Sequence, residues 1–413
     1  MKILSQNSQG LQKLYNRHLY AHKKHVDEKV RRIIEDVRIN GDEALIKYTK
    51  KYDKAKLKIK QLKVIENEIS GSFQNITSDF IAALKAITHN VSLFYKKQNH
   101  KPCRVRDDDG VLLKENIHPL EAVGIYVPAG TAPLVSTVYM TVIPAKEAGV
   151  KRIVIVTPPD KNGQINPYIL AVANLLKVNE IYKVGGAQAI AALAFGTKTI
   201  PRVDKIIGPG NMFVTEAKRQ LFGFVDIDML AGPSELVIIA NRHSNPNYII
   251  ADLEGQLEHA GGLAVLVTTS RQIIKQIRKK VNKGYIIYAK NIEEAVDIVN
   301  RIAPEHVQIL TNNPESIAKK IRNAGAIFLG PYSPTALGDY AAGPSHVLPT
   351  MGSARFFSGL GLSDFMKKSH IISYSKRALE KIKDPIERIA TIEGLTKHSE
   401  SINARFSATL PNG

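Results

Sequence analysis

The run Ala122-Val-Gly-Ile-Tyr-Val127, closed by Pro128-Ala129-Gly130-Thr131, decides the fold, because its pattern recurs downstream. Residues 152–157, 180–184, 235–240, 264–268, 285–289, 307–310 and 326–329 are equally short runs rich in Val, Ile and Leu. Between them lie segments with helical spacing of apolar residues, at 167–176, 187–195, 248–259, 272–281, 292–302 and 314–323. Strands alternating with helices of this length mean βαβ units, and therefore mainly parallel sheets. The fold class is α/β.

Outward from this core the pattern changes. The first hundred residues read as mostly helical, with Val26, Val30, Ile33, Ile34 and Val37 on one apolar face and Phe80, Leu84, Ile87, Val91 and Phe94 on another. Leu57, Ile59 and Leu62 alternate as in a strand, inside the densest basic stretch, Lys47 to Lys63. After Asp339 the alternation stops, and residues 384–393 form a last helical stretch before a short tail.

The chain has 413 residues, 44% apolar and 23% charged, which is ordinary for a globular protein and suggests two to three domains. No apolar run approaches the roughly 18 residues that span a bilayer. The start, Met1-Lys2-Ile3-Leu4-Ser5-Gln6-Asn7, turns polar before an apolar leader could form, so no cleaved secretory signal is expected. The lone Cys103 excludes intrachain disulfides, cysteine zinc sites and iron–sulfur clusters, and fits a reducing cytoplasm. The net charge of +19 invites a nucleic-acid reading, and more than half of the excess lies in residues 1–120. No recognised nucleic-acid motif accompanies it. Attraction of an anionic cofactor is the milder reading.

Glycine-rich segments follow three strand-like runs: Pro128-Ala129-Gly130-Thr131, Gly185-Gly186-Ala187-Gln188 and Gly208-Pro209-Gly210-Asn211. Parallel sheets bind ligands at the carboxyl ends of their strands, and the amides opening a following helix favour anions. None matches the dinucleotide fingerprint; Gly208-x-Gly210-x-x-Phe213 lacks the third glycine. Nucleotide loops and plain tight turns stand level on this evidence.

Residues able to do chemistry are sparse. Gln256 and His259 lie three apart within a helical pattern, a spacing that serves a shared metal ion or a solvated helix end. Glu305 and His306 follow Pro304 at the head of a strand, where they read as a general acid–base pair or as a surface turn. Asp339, Tyr340, Ser345 and His346 sit among Gly338, Gly343 and Pro344, poor core material and plausible site material. Glu393 and His398 read alone as a helix end and a solvated tail.

Together these segments closely resemble histidinol dehydrogenases. The resemblance is carried by residues 123–134, 184–191, 203–211, 227–235, 303–306, 338–340, 346–350 and 393–398, in order and over nearly the whole chain. It implies a zinc- and NAD-dependent, four-electron oxidation of L-histidinol through L-histidinal to L-histidine, the last steps of histidine biosynthesis. It assigns Zn²⁺ to Gln256, His259, Asp339 and His398, and the acid–base roles to Glu305 and His306. Ser234, Glu393 and His346 join the metal ligands and His306 around the substrate, while Tyr126, Gln188 and Asn211 contact NAD. The implied architecture is two incomplete Rossmann-like domains, one of residues 23–122 and 236–360 and the other of residues 123–235. An N-terminal arm at 1–22 and a C-terminal segment at 361–413 would swap across a homodimer.

Departures from the family pattern are Ala129 for a second glycine, Pro344-Ser345 for a Thr-Asn pair, and Ala260-Gly261-Gly262 for a Gly-Pro step. None removes an inferred ligand or acid–base group. The rival expectations are a paralogous NAD-dependent dehydrogenase of another small alcohol or amino alcohol, and a noncatalytic basic binding protein.

Overall fold

The computed structural model describes residues 1–17, 24–98, 101–130 and 132–407; Thr131 and the arm boundary expected at residue 22 lie outside them. The chain forms two compact units, Met1–Gln98 with Leu120–Phe365, and Asn99–Pro119 with Met366–Gly413.

In chain order the strands are β1 (Lys2–Leu4), β2 (Arg104–Arg106), β3 (Leu112–Pro119), β4 (Ala122–Tyr126) and β5 (Arg152–Thr157). They continue as β6 (Glu180–Lys183), β7 (Lys205–Ile207), β8 (Asp226–Ile227), β9 (Glu235–Ala240) and β10 (Leu263–Thr268). The last are β11 (Tyr285–Tyr288), β12 (His306–Leu310), β13 (Ala326–Leu329) and β14 (Met366–Ser373). The first unit holds two parallel sheets, ordered β6-β5-β4-β7-β8 and β1-β11-β10-β9-β12-β13.

Helices cover both faces of such sheets, so the central strands are apolar without alternation. In β5, Val154, Ile155 and Val156 are fully buried, as are Val237, Ile238 and Ile239 in β9. The helix Gly186–Phe195 lies close on the first sheet because the facing position is glycine: a Cβ on Gly124 would stand 2.8 Å from the Leu193 side chain.

The N-terminal helix Lys24–Asn40 buries Val26, Val30, Ile33, Ile34 and Val37, the face read from the sequence. That face joins the core around Ile190, Leu193, Val214 and Leu221, beside the sheet of residues 122–227. This differs from the expected grouping of residues 23–122 with 236–360. The reason is complementarity: the alanine-rich helix Gly186–Phe195 offers a shallow apolar surface to the branched side chains of Lys24–Asn40.

Three further local expectations are corrected. Residues 57–62 form no strand: Ile59–Gln61 is a 3₁₀ turn with Ile59 exposed, and Leu62 alone enters the core. His259 lies beyond the helix Pro246–Leu257, in a turn kept close by its N–H on the Gln256 carbonyl at 3.4 Å. Residues after Asp339 return to strand in β14, which pairs antiparallel with β3 over Met366↔Pro119 to Ser373↔Leu112. That sheet, β14-β3-β2, belongs to the second unit with the helices Lys376–Ile392 and Thr396–Asn403.

Candidate active site

His306 is the first residue of β12, in register with Leu236 of β9 and Ala326 of β13, so its backbone is fixed on both sides. Its side chain is buried and hangs from β9: Nδ1 lies 3.1 Å from the Glu235 carbonyl oxygen. A carbonyl only accepts, so Nδ1 carries the hydrogen and Nε2 presents a lone pair. Nε2 faces the Asp339 carboxylate, whose Oδ1 is 3.9 Å away. Burial pulls the His306 pKa down and favours the neutral imidazole.

Glu305 uses the same anchor. The N–H of Glu235 donates to Glu305 Oε2 at 2.9 Å, and that oxygen is 3.5 Å from His306 Nδ1. Burial pushes the Glu305 carboxyl up to about 8, with the nearby Asp339 charge adding to the rise and the Ser234 hydroxyl and His259 opposing it. Ser234 Oγ accepts from Gln256 Nε2 at 3.1 Å. Gln256 is buried at the end of its helix, while His259 is exposed and near enough to act electrostatically on Glu305, His306, Asp339 and His346.

Asp339 sits near the end of the short helix Thr335–Tyr340, and burial raises its pKa against the pull of His306 and His259. The His346 ring braces this segment. Its Nδ1 donates to the Asp339 carbonyl at 2.9 Å and its Nε2 lies 3.4 Å from Thr137 Oγ1. Burial brings the His346 pKa to about 4, so the ring is neutral. Thr137 belongs to the helix Val135–Glu147, where Tyr139 also donates its hydroxyl to the Tyr340 carbonyl at 3.0 Å. That helix follows the glycine-rich loop after β4.

The other expected group lies at the carboxyl ends of the first sheet. Tyr126 ends β4; its buried hydroxyl accepts the Gly186 N–H at 3.1 Å, and burial holds its pKa near 12. Gln188 is 1% exposed, yet both polar atoms of its amide are buried without a hydrogen-bond partner among the described residues. Asn211 caps the helix Met212–Leu221, accepting from the Phe213 and Val214 amides. Beneath this loop, Lys218 donates to the Gly208 carbonyl and to Asp228, both at 2.6 Å, and Asp228 accepts the Gly208 N–H at 2.7 Å. Only glycine fits at 208: φ is +111° and a Cβ would stand 2.3 Å from the Tyr126 carbonyl.

The structure thus gathers Ser234, Gln256, His259, Glu305, His306, Asp339 and His346 at one place, and Tyr126, Gln188 and Asn211 around the glycine-rich ends of the first sheet. Glu393 and His398 belong to the second unit and are exposed within it, at the end of Lys376–Ile392 and in Thr396–Asn403. Among the described residues no group of three or more His, Cys, Asp and Glu is placed to hold a metal. Glu235 and Thr137 were missed from the sequence. A carboxylate heading the otherwise apolar strand Glu235-Leu-Val-Ile-Ile-Ala240 was the available signal for the first; nothing marked the second.

Paired parallel sheets with a buried carboxyl–imidazole pair define an α/β enzyme equipped for proton transfer. The sequence profile of histidinol dehydrogenases matches residues 17–406. Histidinol dehydrogenase from Clostridium acetobutylicum is 48% identical over 396 residues, covering 91% of each chain. That of Listeria monocytogenes is also 48% identical, over 92% of this chain and 93% of the relative. The crystal structure of histidinol dehydrogenase from Elizabethkingia anophelis superposes with a TM-score of 0.92 at 37% identity, covering 98% of both chains. The chain belongs to the histidinol dehydrogenase family: it is an oxidoreductase that oxidises histidinol in histidine biosynthesis.

Proposed function

We propose that the chain converts L-histidinol through L-histidinal to L-histidine in two oxidations with NAD and zinc. The observation that carries this reading is the buried Glu305–His306 pair, both members held by the backbone of Glu235. His306 Nε2 is the base that takes the substrate hydroxyl proton, kept neutral by burial and aimed by Nδ1–H on a carbonyl. Glu305 takes a proton from the water that adds to the aldehyde, a task that suits a carboxyl pushed up to about 8. Ser234 and Glu393 contact the substrate, and His346 holds Asp339 in place for it. NAD⁺, when bound near Tyr126, Gln188 and Asn211, would supply the hydride acceptor, and Zn²⁺, when bound by Gln256, His259, Asp339 and His398, would supply a template that orients the substrate.

The residues present fit both groups. The unpaired amide of Gln188, which like the phenol of Tyr126 lies against Gly186, is a polar demand that a dinucleotide would meet. Gln256, His259 and Asp339 offer an amide oxygen, an imidazole and a carboxylate, a mixed donor set suited to zinc, which His398 completes. The rival activity on another small alcohol keeps the same acid–base pair but has no use for His398 and Glu393 as substrate and metal contacts.

His398 reaches that site from a partner chain in this reading. The helix Thr396–Asn403 buries none of its residues and Lys376–Ile392 buries only Ala378 and Ala390, while Ile382, Ile389, Ile392 and Leu395 stay exposed. Such a face is stabilised by docking on another surface, as in a homodimer with swapped ends. Cytoplasmic residence is supported by the exposed free thiol of Cys103, and no described helix is long and apolar enough to cross a membrane.

With limiting L-histidinol, excess NAD⁺ and added Zn²⁺, two NADH should form per substrate; one NADH with histidinal accumulating would overturn the two-step reading. Co-expressed His259→Ala and His398→Ala chains should regain activity in the isolated mixed dimer, where both lesions fall in one site. No recovery in a zinc-loaded mixed dimer would rule out the swap.

A further inference from the structure

Arg17, just beyond the N-terminal helix Gln9–Tyr15, is far in sequence from every group above, yet its guanidinium lies behind the acid–base pair. Nη1 pairs with Glu235 Oε1, Nη2 donates to the Ile302 carbonyl at 3.0 Å, and Nε donates to the Leu14 carbonyl at 2.9 Å. The two charged side chains are only 10% and 1% exposed. Glu235 Oε1 also accepts the Met351 N–H at 3.0 Å.

Both ends of this clamp bear on the same two side chains. The Glu235 backbone supplies the N–H on Glu305, at 2.9 Å, and the carbonyl on His306, at 3.1 Å. Ile302 ends the helix Ile292–Ile302, which turns through Ala303, at a left-handed φ of 49°, and Pro304 into Glu305. One planar fork therefore joins the strand that anchors the pair to the helix end that delivers it. A lysine, a single point donor, cannot hold both at that geometry.

We propose that Arg17 is a positioning residue for Glu305 and His306, acting through Glu235 and Ile302, so that the N-terminal helix is part of the catalytic apparatus. This rests on the acid–base reading of Glu305 and His306, and the test separates the two. Arg17→Lys keeps the charge opposite Glu235 and should lower kcat about tenfold, since small misplacements of reacting groups cost that much or more, with KM for L-histidinol within about twofold of wild type.

The discriminating measurement is a double-mutant cycle with Glu305→Gln, read as kcat on L-histidinal. If Arg17 acts by placing Glu305, adding Arg17→Lys to Glu305→Gln should cost little more than Glu305→Gln alone. Fully additive losses, or an Arg17→Lys enzyme with wild-type kcat, overturn the proposal. A Glu305→Gln enzyme of wild-type rate overturns the acid–base reading instead. Should Arg17→Lys fold poorly, the pair Arg17→Gln with Glu235→Gln removes both charges and enters the same cycle. Far-ultraviolet circular dichroism and a thermal midpoint above the assay temperature establish that each protein tested is folded.

Discussion

The two parallel sheets of the first unit carry their candidate site residues at opposite ends. Of the β6-β5-β4-β7-β8 sheet, it is the carboxyl ends that carry Tyr126 and the glycine loops at 185–186 and 208–210. Of the other sheet, it is the amino ends of β9 and β12 that carry Ser234, Glu235, Glu305 and His306. The difference follows from what each end supplies. Carboxyl ends lead through glycine turns into helix N-termini, whose free amides suit a phosphate-bearing cofactor. The amino end of β9 supplies one N–H and one carbonyl of Glu235, which hold a carboxyl and fix an imidazole tautomer. In the proposed reading, one fold motif serves binding at one end and proton transfer at the other.

The sharpest way to break this division is to remove the base. His306→Asn keeps a side chain able to reach the Glu235 carbonyl but removes the basic nitrogen. Turnover should fall by about 10²–10⁴, the usual worth of a general base, with NAD affinity from fluorescence titration unchanged. A fall below tenfold would mean that the amino end of β12 is scaffold.

Glu305→Gln should act more selectively. Only the second oxidation needs activated water, so supplied L-histidinal should be turned over about 10²-fold more slowly, while the first hydride transfer changes less. Equal slowing of both steps would reject the separate roles. A pH effect goes with this. Glu305 works as a base only when ionised, and burial places its pKa at about 8 in the metal-free chain. The wild-type rate on L-histidinal should therefore rise about tenfold per pH unit below that midpoint and level off above it, and a bound dication should move the midpoint down. Glu305→Gln should flatten the rise.

The same shift acts on stability. The folded pKa of about 8 lies above the ordinary 4.5, so folding disfavours the ionised group. Its contribution is full below about pH 4.5 and is lost as pH climbs through about 8. In the metal-free protein, the midpoint of thermal unfolding of Glu305→Gln relative to wild type should rise over that window. A constant difference would show that Glu305 is ionised throughout.

Much of this was legible in the sequence because periodicity reports burial. Residues 152–157, 235–240 and 326–329 are strands as read, and residues 292–302 a helix: the first two runs and the helix bury a face or a whole run in the core beside their own sheet, and Phe328 is buried in the third. The antiparallel pairing of β3 with β14 was not legible. Its partners are far apart in the chain, and β14 is mostly exposed, so no apolar alternation announces it. Of the site, the titratable residues were visible as unusual polar groups in glycine-rich or strand-end positions. Their arrangement was not, because the group that organises them is the backbone of Glu235, and a main-chain donor has no signature in a residue code. Arg17 was hidden for a related reason: its partners, Glu235 and Ile302, meet it only in the folded chain.

The smallest effect belongs to the other end of the comparison. Gln188 keeps a buried amide with both polar atoms unpaired among the described residues, which in the absence of a ligand is a destabilising choice. Gln188→Leu has nearly the same volume and removes two unsatisfied groups from a helix whose Ala187, Ala189 and Ile190 all belong to the apolar core. The free protein should become more stable by about 1 kcal/mol, read from denaturant midpoints, since an unpaired buried polar group costs about 1–3 kcal/mol. For the substituted enzyme the KM for NAD should at the same time rise about tenfold, the worth of a hydrogen bond or two, with KM for L-histidinol unmoved. The two readouts together are decisive. Lower stability would mean that the amide is satisfied within the free chain. A gain in stability with unchanged NAD binding would leave Gln188 without a ligand and detach this end of the sheet from the cofactor. Only the opposed pair, a steadier fold with a weaker grip on NAD, fits an amide held unpaired for the dinucleotide.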